Sequence, residues 1–223
     1  MMLVFLFVLR KSEAGMAGYS PDQVVVFFLT YQFLDVSTAV LFRGVYMFSP
    51  LIRDGRFDSY LSKPISPLFR ALMGHPDIND ALFLLPVVGV SLWIVSKLDI
   101  VLSLSGILWY LLLLANGYLI ALGMHILVMA AGIIIVDVDG VIWLYRDLIR
   151  LGQFPVTVYQ EPLRSILYFV MPVGLMVTIP TTVLLGSIHV YTIAGTVLAG
   201  IGLLGLSLII WKLALRQYSG AGG

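Results

Sequence analysis

Long apolar blocks separated by short polar stretches organise this chain. They predict membrane spans near 24–47, 81–97, 100–136, 165–186 and 193–213, with polar loops over 48–80 and 137–164. A helix needs about 20 apolar residues to cross a hydrocarbon core of about 30 Å. The first block meets that length and opens on Ser20-Pro21-Asp22, a helix start with Ser20 as cap and proline in the first turn. The second is short and contains Pro86, so it spans only with help from Asn79-Asp80 or a thinned bilayer. The third holds 37 residues without a charge. That is about 55 Å of helix, too long for one upright span and too short for two with a polar loop between them. Asn116-Gly117 is its candidate break. Pro172 and Pro180 interrupt the fourth block, and Pro180 is expected to end the helix inside the membrane, leaving Thr181 to Thr192 as a re-entrant or capping turn. Met1 to Leu9 is too short to span, is followed by Arg10-Lys11 and lacks a small-x-small cleavage site, so it reads as a partial span or an interfacial piece.

The fold class expected is therefore all-α, a polytopic membrane helix bundle with about five full spans plus a partial N-terminal one. Composition agrees: 60% hydrophobic and 11% charged residues with a mean hydropathy of +1.03 make lipid the main solvent. A net charge of +1 offers no basic field for nucleic acid, and the lack of cysteine removes disulfides and thiolate chemistry. Charge placement gives orientation. With the first loop inside, Arg43, Arg53, Arg56, Lys63, Arg70, Arg146, Arg150, Arg164, Lys212 and Arg216 are cytoplasmic or at the inner boundary, against Arg10, Lys11 and Lys97 outside. This distribution requires 100–136 to cross once. It puts the C-terminus in the cytoplasm of a multi-pass inner (plasma) membrane protein.

Two polar regions stand out. Ile52 to Leu68 reads IRDGRFDSYLSKPISPL, where Ile52, Gly55, Asp58, Leu61, Pro64 and Pro67 recur at every third residue, a pattern that lipid contact does not require. It is a candidate docking surface, with Phe57, Tyr60 and Leu61 to fill an apolar cleft and Arg53, Arg56 and Asp58 at its polar rim. The alternative is a loop folded against its own bundle, with Asp58 as a helix cap or a partner for Arg56 or Lys63. In the second region Val141, Leu144, Tyr145 and Leu148 share one helical face and Arg146, Asp147 and Arg150 another, before Gly152 and Pro155 terminate it. That helix lies on the inner membrane surface or packs under its own bundle.

Among polar groups within the spans, Asp35 either lines a substrate route or makes a structural bond between helices, and Asn116 and His125 favour helix–helix contacts. Gly195, Ala199 and Gly202 share a face suited to close packing. His75, His125 and His189 are scattered with no carboxylate at ligand spacing, and no G-x-x-x-x-G-K-[ST] loop occurs. Nothing here reads as an enzyme.

The loop pattern I-x-x-G-x-x-D-x-x-L-x-x-P-x-x-P is followed about 90 residues later by Phe154-Pro155-Val156-Thr157-Val158-Tyr159, then Pro172-Val173 and Ile179-Pro180. In this order, from Gly18 to the C-terminus, the chain resembles permease subunits of the ABC type-2 exporters, in the branch described as ABC-2 family transporter proteins. The resemblance implies a six-span domain, paired with a second copy or a sister permease and driven by a separate ABC ATPase subunit. Leu51 to Arg70 would hold the coupling helix that sits in the ATPase cleft. This chain would bind no cofactor, ATP and magnesium belonging to the partner. Members of the family begin with a cytoplasmic N-terminus and a complete first span, so the start expected here is shortened. Readings from other classes are a noncatalytic membrane scaffold that recruits a partner through 52–68, and an ion-coupled secondary transporter working through Asp35.

Overall fold

The computed structural model describes residues 16–74, 78–135, 139–186 and 189–218, the side chains of Asp80 and Asp139 excepted. The readings of Met1 to Leu9 and Arg10-Lys11 lie outside these residues. The described chain is helical, with no strand among its elements. Among the described residues three helices are long and apolar enough to cross a membrane: α1 (Pro21–Leu41), α6 (Leu104–Ile134) and α10 (Val190–Gln217). A bent pair, α8 (Leu163–Val170) and α9 (Gly174–Leu184), makes a fourth if counted as one span. The loop after α1 carries α2 (Phe48–Arg53), α3 (Asp58–Leu61) and α4 (Pro67–Met73). The span expected at 81–97 falls on α5 (Ile78–Val95), whose apolar part, Ala81–Val95, is shorter than that of the three crossing-length helices. The amphipathic segment is α7 (Asp139–Arg150).

Local chemistry explains the ends. Ser20 caps α1 reciprocally with Gln23, each side chain bonding the other's backbone N–H. Helix α6 starts on the Ser103 side chain, which accepts from the Gly106 N–H, and runs unbroken through Asn116-Gly117. The expected break is absent because the Asn116 amide donates to the Thr196 carbonyl of α10 at 2.9 Å and does not compete for its own backbone. Gly117 lets the Met176 backbone approach. At 31 residues α6 is about 46 Å long and tilts or projects beyond a 30 Å core.

Pro172, not Pro180, breaks the fourth block. The chain turns through 76° between Val170 and Gly174, and both flanking segments are wound as π-turns. Proline removes an N–H and collides with the preceding turn, so the freed backbone must find other geometry. Pro180 sits near the start of a regular α-helical turn, where its missing N–H costs little, and Thr181 to Leu184 continue the helix until Gly186, whose φ of +88° ends it.

Cross-helix pairs fix direction. Thr30 meets Tyr110 and Ser37 meets Tyr118, so α1 and α6 run the same way. Asn116 meets Thr196 and Gly123 meets Leu203, so α10 runs with them. Gly106 lies by Leu184 and Gly117 by Met176, so α9 runs oppositely to α6. The C-terminal ends of α1, α6 and α10 therefore share one end of the bundle, together with α2 to α4 and α7.

Close approach of α6 to α10 rests on Gly200, where a Cβ would overlap the Asn116 side chain. The expected trio behaves otherwise: Gly195 and Gly202 face open space and Ala199 is exposed. Gly44 is tighter still, since a Cβ there would overlap the Ala71 carbonyl of α4. Gly44→Ala and Gly200→Ala should each cost about 1–3 kcal/mol of stability by overpacking. Gly195→Ala should be neutral or slightly stabilising. Thermal unfolding of the detergent-purified chain measures all three.

Candidate functional site

The loop 48–73 folds onto the end of the bundle by an aromatic side chain rather than standing off it. Gly55, at φ +68°, takes the left-handed turn after α2, and the chain re-enters at Phe57. Phe57 is 0% exposed. Its ring meets Phe48 edge-on at 5.4 Å, Tyr218 at 5.3 Å and Trp211 at 6.3 Å, and lies 6.0 Å from Tyr60. Such tilted and edge-to-face pairs add to the area they bury. Tyr60 is buried as well, under the Arg70 guanidinium 4.1 Å from its ring centroid.

Asp58 is not the cap of α3, a position that Phe57 holds, but its first residue. It accepts a hydrogen bond from the Tyr218 hydroxyl at 2.8 Å, across 160 residues. Burial and this bond push the Tyr218 phenol up to about 12, so it stays a protonated donor at neutral pH. Arg56 instead pairs with Asp54. Ile52 is half-buried at the end of α2, Pro64 lies exposed in the turn before α4, and Pro67 is the first residue of α4, which Ser66 caps through the Phe69 N–H.

These placements redistribute the expected docking surface. Phe57 and Tyr60 are occupied inside the chain and do not offer their rings to a partner in this conformation. The apolar side chains that the loop leaves exposed are Leu61 (43%), Ile65 (53%) and Phe69 (57%), joined by Met73. Sequence reasoning found Leu61 and missed the other three. Their signal is an apolar residue at every fourth position from Leu61 through a polar stretch, on which the three-residue period is superimposed.

The in-span polar residues are held between helices. Arg146 of α7 donates to the Tyr46 hydroxyl at 3.1 Å and lies 3.8 Å from the Asp35 carboxylate of α1. His125 donates from Nδ1 to the Ala121 carbonyl at 2.7 Å, and its ring lies between those of Phe42 and Tyr145. Asn116 joins α6 to α10 as described. Asp35, Asn116 and His125 thus make three separate ties, α1 to α7, α6 to α10 and α6 to α7. Helix α7 packs through Ile142, Tyr145 and Ile149, with Val141 and Leu148 half-buried. Leu144, expected on the packed face, is exposed beside Trp143 because the buried stripe is rotated toward Ile142 and Ile149. Its end follows expectation, with a 3-10 turn at Leu151–Gln153 and extended backbone at Phe154.

The family model described as ABC-2 family transporter protein matches residues 1–222. No curated protein and no solved structure matches the chain.

Replacing Phe57 by alanine removes the centre of the aromatic nest and should cost about 3 kcal/mol or more, whereas Tyr218→Phe, which loses one hydrogen bond, should cost about 1 kcal/mol. Unfolding midpoints of the two variants separate these outcomes. For the Asp35–Arg146 pair, Asp35→Asn, Arg146→Met and the double variant form a cycle in which a coupling of about 1 kcal/mol is expected, since the pair is partly solvated. A coupling near zero would remove it as a tie between α1 and α7.

Proposed function

The chain belongs to the ABC-2 family of transporter proteins, and from that membership we propose that it is a permease subunit that exports its substrate by conformational alternation powered from a separate ABC ATPase. The family establishes a multi-pass membrane protein of an ABC transporter. Export, the ATPase partner and pairing with a second or sister permease are our reading. So is the site of energy conversion: ATP and magnesium act on the partner, as this sequence contains no phosphate-cradling loop.

The observation that carries the reading is the two-sided build of the loop 48–73. One side, Phe57 and Asp58, is anchored to Trp211 and Tyr218 at the end of α10. The other leaves Leu61, Ile65 and Phe69 exposed at the end of the bundle where Arg53, Arg56, Lys63 and Arg70 cluster. A partner that pushes on the exposed side moves a part joined to a spanning helix. The shared direction of α1, α6 and α10, with α9 opposed, supports an arrangement of five full spans, with α5 and the bent pair as the returning passes. The positive charges at this end support a cytoplasmic loop and C-terminus in the inner (plasma) membrane.

Leu61→Asp with Ile65→Asp tests the docking surface without disturbing the buried Phe57. Mild-detergent purification from native membranes should recover an ABC ATPase with the parent chain, and at least tenfold less with the double variant at an unchanged unfolding temperature. An intact parent that retains other membrane partners but no ATPase would sink the permease reading. Equal recovery by both proteins would move the coupling surface away from Leu61 and Ile65.

A further inference from the structure

Between α1, α5 and α6 lies a cavity of about 440 Å3, within the range of small-molecule sites. Its walls are hydrocarbon, from residues such as Leu29, Val88, Ile107, Leu111 and Leu184, and no charged side chain lines it. Leu92 and Leu111 belong both to its lining and to the exposed surface of α5 and α6. Because α6 is a spanning helix, what meets that surface is the bilayer interior.

Three hydroxyl-bearing residues stand among the lining hydrocarbons: Thr30, Ser91 and Tyr110. Thr30 Oγ1 and the Tyr110 hydroxyl lie 3.0 Å apart and bond to one another. Two hydroxyls carry two hydrogens and their mutual bond uses one, leaving donor and acceptor capacity at the pair. Ser91 Oγ is covered by protein and has no hydrogen-bond partner among the described residues. A buried hydroxyl without a partner costs free energy, and in a helix it commonly bonds back to its own backbone, as Thr181 does to Val177 in this chain. An apolar seam between helices gains nothing from such a group.

We propose that this cavity binds a neutral single-chain amphiphile entering from the lipid phase, with its alkyl chain along the leucine and valine walls and its one uncharged polar group, a hydroxyl or amide, bonded by Ser91 and the Thr30–Tyr110 pair. Charged headgroups are disfavoured because nothing in the lining compensates them. Binding requires Ser91 to turn about χ1 to another staggered position, exposing Oγ to the ligand. The site is independent of the ATPase, and the same chemistry serves a resident membrane lipid or a transported amphiphile.

The test uses the full chain in lipid nanodiscs and two photoactivatable probes: a sixteen-carbon alcohol with a diazirine in its chain, and the corresponding alkane without the hydroxyl. The alcohol should label the peptides around Leu29, Ser91 and Leu111 in preference to the exposed face of α10. Ser91→Ala with Tyr110→Phe should weaken that labelling roughly two- to tenfold while leaving the alkane's labelling unchanged. Val88→Trp, which fills the cavity, should abolish preferential labelling by both, and tryptophan-monitored melting checks that each variant is folded. Equal labelling by alcohol and alkane, insensitive to the hydroxyl variant, would overturn the proposal, as would adducts spread over α10. Lipid extraction and mass spectrometry before probe addition distinguish the source. A stoichiometric neutral lipid lost in Val88→Trp marks a resident lipid, and an empty site that takes up added alcohol marks a diffusing amphiphile; either upholds the site.

Discussion

The contact on which most of this structure depends is that of α6 with α10. Lipid supplies no hydrophobic drive between two apolar helices, so their association needs close packing and internal hydrogen bonds. Gly200 provides the first by removing a side chain where Asn116 must sit, and Asn116 provides the second by donating to the Thr196 carbonyl. Thr196 keeps its own hydroxyl on the Thr192 carbonyl, so the pairing leaves its side chain satisfied. Farther along, Gly123 receives Leu203, and the helix continues to Trp211. Everything that α10 does at the loop end follows from being held in this register.

That register delivers Trp211 and Tyr218 to Phe57. An aromatic ring packed into other aromatics resists sliding in a way a salt bridge in water does not, because dense interiors have few alternative arrangements. The loop is therefore coupled to α10 by packing and by the Asp58–Tyr218 bond together. Helix α7 is coupled to α1 and α6 by different means, Arg146 reaching toward Asp35 and Tyr46, and Tyr145 lying against His125. Two peripheral elements at one end of the bundle are thus tied to different spanning helices. The Phe57 nest and the Asp58 bond give a force on the loop a direct route to α10.

Much of the helical outline was legible because bilayer thickness imposes a length on apolar blocks. The Ser20 cap, the one long helix at Leu104–Ile134 and the irregular fourth block all follow from such local or one-dimensional constraints. What sequence did not reveal depends on partners distant in the chain. Asp58 has several neighbouring cations, yet its bond goes to Tyr218. Gly200 looks no different from Gly195 or Gly202 until Asn116 is placed against it. Phe57 and Ile65 are both apolar residues in a polar loop, and only the position of Trp211 decides which one is buried.

The division between Phe57 and Ile65 also explains why a polar loop carries so many apolar residues. A loop that only connects two helices can be polar throughout, and one that only docks on a partner needs its apolar groups outside. The coupling role we propose needs both, since a docked surface without an internal anchor would slide when pushed, and an anchored loop without an outer face could not be grasped. Gly55 and Pro67 bracket the segment between these faces: the left-handed turn aims Phe57 inward, and the proline fixes the start of the helix that presents Phe69 outward. Within the three-residue period Gly55 and Pro67 serve the backbone path and Asp58 its bond to Tyr218, whereas the four-residue spacing of Leu61, Ile65, Phe69 and Met73 sets the exposed surface.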